Sequence, residues 1–359
     1  MKAEVEPGER RIPNVRSDRA ALATKWMLLC ALALTLLISP AYAQHVVVLV
    51  GSGSTVPAPL YNRWGQEYGK RNPKIQMRYL PVGTEEGIKQ ISHESGDFGA
   101  GEAPLTEKQR KEDGLIELPA VIIGIVPVYN LPEVHQQLRL SGEVLADIFL
   151  GVVKTWDAPQ IAKLNADVAL PNTAIHVIDR PAGKGSNYVF SDFLSKSSAK
   201  FRAQIGVSAS PKWPVGEAAE RSSDMADKVK HELGSIGYVE YQYAVKDNIQ
   251  QAAVQNADGK FVTASPQGLA AACQEVEAPT WRGFSASLVN ARGADSYPIT
   301  SFTWIYLRAK TSDSSRAAAL RDLLNWTYSD GQTLAEQEGY AALPPKLQAE
   351  VKRKLNELH

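Results

Sequence analysis

His45-Val-Val-Val-Leu-Val50 leads into Gly51-Ser-Gly-Ser-Thr55 and then Val56-Pro57. A valine-rich apolar run of this length reads as a buried strand. Thr55 is a good helix N-cap, and proline is favoured in a first turn. Leu60, Trp64 and Tyr68 then recur at every fourth position, which marks one face of a helix. The unit is strand, glycine loop, helix.

The same unit recurs downstream. Ile75 to Val82 alternates like a strand, Gly83-Thr84 turns, and Ile88 and Ile91 open a short helix. Phe98-Gly99-Ala100 reads as a short strand and Leu105 to Lys111 as a helix. Leu118 to Asn130 is a long apolar strand containing Pro127, long enough to leave one domain and enter another. Ser141 caps a helix bearing Val144, Leu145, Ile148 and Phe149. Ala174 to Asp179 is a strand, Arg180 to Ser186 a loop, and Tyr188 to Leu194 the start of a helix. Ile236 to Tyr243 and Pro298 to Leu307 read as further strands, and Leu320, Leu324 and Tyr328, then Leu347, Val351, Leu355 and Leu358, as helices. Strands alternating with helices predict an α/β fold with mostly parallel sheets. A chain of 359 residues exceeds one ordinary core, so two domains are expected.

The N-terminus has the three parts of an export signal. Basic residues lie between Lys2 and Lys25, an apolar run extends from Trp26 to Ile38, and Ala41-Tyr42-Ala43 gives a small-x-small cleavage site. The run is shorter than the ~20 residues a membrane span needs, so residues 1–43 are expected to be a cleaved signal peptide. Cys30 follows Leu29, whereas a lipoprotein cysteine follows a small residue. Removing residues 1–43 takes six basic and four acidic side chains from balanced totals of 39 and 39, leaving a net charge of −2. There is no basic excess for nucleic acid. Cys273 is then the one remaining cysteine, so neither an internal disulfide nor a cysteine-based metal site is expected.

Three strand-to-helix junctions share one chemistry: Gly51–Thr55, Gly83–Thr84 and Arg180–Ser186. Each supplies glycine, a hydroxyl or both ahead of a helix, where backbone N–H groups lack partners and the dipole is positive. Such ends bind anions. In parallel α/β sheets they gather at the carboxyl edge of the strands. Gly183-Lys-Gly-Ser186 lacks the spacing of a nucleotide-binding P-loop, Gly51-x-Gly53 lacks a third glycine, and no G-x-S-x-G elbow is present. The six histidines form no H-x-x-x-H pair, and no catalytic dyad is legible. No enzyme activity and no cofactor are expected.

The chain resembles the PstS family of periplasmic phosphate-binding proteins, of the type II periplasmic binding fold. The matching segments are Gly51–Tyr61, Asp97–Leu105, Asp147–Gly151, Trp156-Asp157, Ile161–Asn165, Gly234–Tyr241 and Pro298–Thr300, in the family's order. The resemblance implies two α/β lobes joined by a doubly crossed hinge, lobe I being residues 44–128 plus 297–359 and lobe II residues 129–296. It implies capture of inorganic phosphate between the lobes, as a monomer outside the cytoplasm. Delivery would be to the membrane permease of an ABC importer with its cytoplasmic ATPase. A phosphonate, pyrophosphate or arsenate is the alternative ligand.

By position, the resemblance places Thr55 and the N–H of Val56 at the phosphate, with Thr84 where the family has serine. Glu102 stands at the family's aspartate, Arg180 at its arginine and Gly185 at its glycine, while Lys184 replaces a serine and Ser186 a threonine. Arg180 is expected to offer a charged fork, and the hydroxyls and helix-start N–H groups the other donors. An ionised Glu102 would accept the proton that phosphate carries and sulfate lacks. Glu85 and Glu86 either suit the helix dipole or, facing the ligand, repel it.

Overall fold

The computed structural model describes Met1 and residues 46–274, 286–310 and 313–357. The expected signal peptide, the His45 start of the first strand and Leu358 lie outside the described residues. No helix among the described residues is long and apolar enough to cross a membrane.

Among the described residues, nine strands form one continuous mixed sheet. β1 (Val47–Gly53) pairs in parallel with β2 (Ile75–Pro81) and β3 (Phe98–Gly101). β4 (Leu115–Tyr129) is the long strand, and its Leu115–Gly124 part runs antiparallel to β12 (Thr300–Arg308). From Ile125 onward β4 changes partner and pairs antiparallel with β8 (Ser235–Glu240). β8 is parallel to β6 (His176–Asp179), which is parallel to β7 (Glu217–Ala218), and β9 (Gln250–Gln251) pairs with the end of β4. β5 (Arg139–Leu140), β10 (Ala253–Gln255) and β11 (Phe261–Val262) form a small separate sheet.

The α/β expectation holds, but the sheet is less parallel than predicted. The longest ladder, β4 with β12, is antiparallel, and so is β4 with β8, while parallel pairing is confined to the flanks. Ile299, just ahead of β12, accepts from the N–H of Ile125, so the chain returns beside the point where β4 changes partner. β4 is apolar apart from Glu117 because it is buried along nearly its whole length. The buried core runs through both parts of the sheet and includes Trp64 and Trp156, whose indole N–H groups donate to Gly331 and Gly234 carbonyls at 2.8 and 2.9 Å.

Two local readings change. β1 runs on through the glycines to Gly53, and the next helix, Ala58–Arg71, starts after Pro57, so Thr55 makes no cap. β8 stops at Glu240, and Tyr241–Lys246 is a short helix rather than the end of a strand. The glycines of β1 are there for contact. A Cβ on Gly51 would lie 2.0 Å from the Phe98 ring, and one on Gly53 would lie 2.0 Å from the Ala100 carbonyl oxygen. Gly53 also has φ +144, where side chains are strained.

Gly53→Ala is therefore expected to lower the unfolding free energy by at least about 2 kcal/mol. Chemical denaturation at unchanged m-value measures this, and wild-type stability in the variant would contradict it.

Candidate functional site

The ends of β1, β3 and β6 converge with the starts of two helices. The first loop supplies Ser54, fully buried, with its N–H on the Ala100 carbonyl at 2.9 Å. Ser54 Oγ accepts the Val56 N–H at 3.1 Å, so that predicted donor is held inside its own loop. Gly83 precedes the helix Thr84–Ser92 with φ +106, and Thr84 is buried in its first turn. Thr84 Oγ1 donates to Glu102 Oε2 at 3.0 Å. Glu102 follows β3 and is 1% exposed. Ser54 also hydrogen-bonds its carboxyl.

The second part of the sheet brings Arg180, Lys184, Gly185 and Ser186. Arg180 follows β6 and is 1% exposed, although its guanidinium is permanently charged. Its Nη1 donates to Ser222 Oγ at 2.7 Å, and Nη2 to the Glu220 carbonyl at 3.1 Å and Thr55 Oγ1 at 3.4 Å. Lys184 occupies the N-cap position of the helix Gly185–Ser197, and its Nζ donates to Glu220 Oε1 at 2.5 Å. A Cβ on Gly185 would lie 1.5 Å from Glu102 Oε2 and 2.6 Å from Thr84 Oγ1. Only glycine lets this helix start against Glu102.

The junction is closed tightly. The Glu85 N–H donates to the Gly183 carbonyl at 3.4 Å, and Ser210 Oγ donates to Glu85 Oε2 at 2.9 Å. Glu85 thus ties two distant segments together, while Glu86 accepts from Gln90 and pairs with Lys89 on its own helix. Thr84 and Gly185 thus lie against Glu102, Thr55 accepts from Arg180, Lys184 reaches Glu220, whose carbonyl accepts from Arg180, and Val56 and Ser186 stand beside these residues in chain. Sequence reasoning missed Glu220, Ser222, Ser210 and Glu240 as neighbours. Ser54 and Glu240 lay inside quoted segments with nothing to set them apart.

Three buried polar atoms here have no partner among the described residues: Glu102 Oε1, Arg180 Nε and Ser186 Oγ. Unsatisfied buried groups are rare, and each needs an explanation. Two donors and a carboxyl oxygen are thus left unpaired on residues of one junction beside a helix start, an arrangement suited to an oxyanion. Burial raises the Glu102 pKa from 4.5 to about 8, against the lowering bonds of Ser54 and Thr84, and the Glu240 charge raises it further. Burial thus favours the protonated carboxyl at neutral pH, where the sequence reading expects an ionised acceptor facing phosphate.

Comparison with known proteins bears on this geometry. A family model described as a PBP superfamily domain matches residues 39–331. The chain is 35% identical over 308 residues to the phosphate-binding protein PstS of Pasteurella multocida, covering 86% of this chain and 89% of that one. Among solved structures, a phosphate-binding protein from Stenotrophomonas maltophilia aligns with TM-score 0.65 at 16% identity, covering 86% of this chain and 94% of that one. A putative phosphate ABC transporter substrate-binding protein with bound phosphate from Clostridium perfringens aligns with TM-score 0.60 at 16% identity, over 83% of this chain and 100% of that one. These structures share the two-lobed type II fold.

The Glu102 shift has a definite sign for stability. A pKa higher in the folded than in the unfolded chain means that the folded chain holds the proton more tightly. The stability contributed is full below 4.5 and is lost as pH rises through about 8. Thermal unfolding of the ligand-free protein across that window is expected to fall more steeply for wild type than for Glu102→Gln; parallel profiles would contradict it.

Proposed function

The chain belongs to the PBP superfamily and, within it, to the PstS family of phosphate-binding proteins, and on that premise we propose that it captures inorganic phosphate at the Glu102–Arg180 junction and hands it to an ABC importer. The observation that carries the proposal is that Arg180, Ser186 and Glu102, all at this junction, are each buried and each keep one unpartnered polar atom. Lobe I is residues 44–128 plus 297–359 and lobe II residues 129–296, and phosphate sits where they touch. Thr55, Val56, Thr84 and Glu102 come from lobe I; Arg180, Lys184, Gly185 and Ser186 come from lobe II. The chain acts as an exported, periplasmic monomer that loses residues 1–43. It performs no catalysis, and its partners are the permease and ATPase of the importer. No finding favours a phosphonate, pyrophosphate or arsenate.

Selection against sulfate follows from counting protons. Phosphate near neutral pH still carries a proton, so the contact between Glu102 and the ligand holds one proton whichever side supplies it. Sulfate brings none and depends on the proton of Glu102 itself. Once Glu102 ionises, sulfate faces a buried carboxylate with no donor between them, a pairing that costs the site and repels the ligand. Discrimination therefore sharpens as pH rises through the Glu102 titration, whose ligand-free midpoint is about 8.

Calorimetric titration tests both parts. Phosphate is expected to bind the wild type tightly, with Arg180→Ala weaker by roughly 100-fold or more, since a charge-assisted donor is lost. Sulfate is expected to compete at pH 5 and to fade toward pH 9, while Glu102→Gln, whose amide donates at any pH, admits sulfate throughout. Sulfate affinity independent of pH in the wild type, or phosphate affinity untouched in Arg180→Ala, would sink this reading.

A further inference from the structure

Arg180 does not hold itself in place. Its Nη1 donates to Ser222 Oγ at 2.7 Å, and the same hydroxyl donates to Glu240 Oε1 at 3.0 Å. Ser222 is 2% exposed and Glu240 is fully buried. Ser222 opens the helix Ser222–His231, and Glu240 ends β8, the strand beside β6 that delivers Arg180. The three groups form a chain of guanidinium, hydroxyl and carboxylate with no other described hydrogen bond to Glu240. Glu240 Oε2 has no partner, and no described salt bridge includes this residue.

Two physical arguments give this chain a role. A guanidinium at a helix start faces the positive end of the dipole, an unfavourable place for a cation. A buried carboxylate nearby offsets that field. A hydroxyl that donates to a carboxylate is also polarised into a better acceptor, so the bond to Arg180 is strengthened by the group behind it. Glu240 otherwise raises the pKa of Glu102 and faces Tyr243 and Tyr340, neither of which is a cation.

We infer that Glu240, acting through Ser222, is a positioning residue that fixes the Arg180 guanidinium for the anion. The inference rests on the phosphate-binding reading and deepens it: Glu240 touches no ligand and sets the geometry of the residue that does. Replacing Glu240 with alanine frees the Ser222 hydroxyl to turn away, and Arg180 loses its aim. Replacing it with glutamine leaves an amide oxygen that accepts from the same hydroxyl.

Phosphate titration of the full chain in wild type, Ser222→Ala, Glu240→Ala, Glu240→Gln and the Ser222→Ala/Glu240→Ala double variant tests this. Each alanine variant is expected to weaken binding about tenfold, the scale of one charge-assisted bond. The double variant is expected to lose no more than the larger single loss, because the two groups act in series. Glu240→Gln recovers most of the affinity, which a generic packing defect would not allow. Should Glu240→Ala fail to fold, Ser222→Ala and Glu240→Gln still decide. Wild-type affinity in Ser222→Ala, or losses that simply add, overturns the relay while leaving phosphate binding standing. A wild-type chain that takes no phosphate overturns the binding reading and this inference together.

Discussion

A permanent positive charge cannot be carried into a protein without something to meet it. Arg180 is such a charge, 1% exposed at the end of β6, and the architecture around it is arranged to receive it. Its guanidinium cannot neutralise by losing a proton, so desolvation must be offset by bonds and opposite charge. Part of the offset is internal: Ser222, the Glu220 carbonyl, Thr55 and, one step back, Glu240. In the proposed function the rest falls to the bound anion. This is how a chain with no net charge concentrates a strong local field at the end of β6.

Glu102 is the counterpart with the opposite freedom. A carboxyl can neutralise, and burial drives it to do so, raising its pKa to about 8. The site thus pairs one group that must stay charged with one that trades a proton. In the proposed function the fixed charge gives attraction to any oxyanion, and the exchangeable proton gives discrimination among them. Glutamate fits because Gly185 leaves room for it: a side chain there would overlap Glu102 Oε2. Lys184, a cation in this field, is turned toward Glu220.

Much of this could be read from sequence, because the parts of the proposed site are local. A glycine before a helix start is visible at Gly83-Thr84 and Gly183–Ser186, and Arg180 sits beside the latter. The long strand that passes between two halves was legible as an unbroken apolar run from Leu118. Thr55 misled, because its hydroxyl looks like a helix cap and is used by Arg180 from 125 residues away. Sheet direction misled too. β12 joins β3 and β4 after a separation of nearly 200 residues, and no local pattern announces an antiparallel partner at that distance. Ser222 and Glu240 were invisible for the same reason. An ordinary serine at a helix start and an ordinary glutamate after a strand become a relay only when β6 and β8 lie side by side.

The most direct test of the account is a crystal structure of the chain with phosphate. The account predicts a single phosphate between Arg180 Nε, Ser186 Oγ and the Glu102 carboxyl, with the Glu102 contact short, about 2.6 Å, as for a hydrogen bond to a charged oxygen. Phosphate bound elsewhere, or a site in which Glu102 turns away from the ligand, would contradict it.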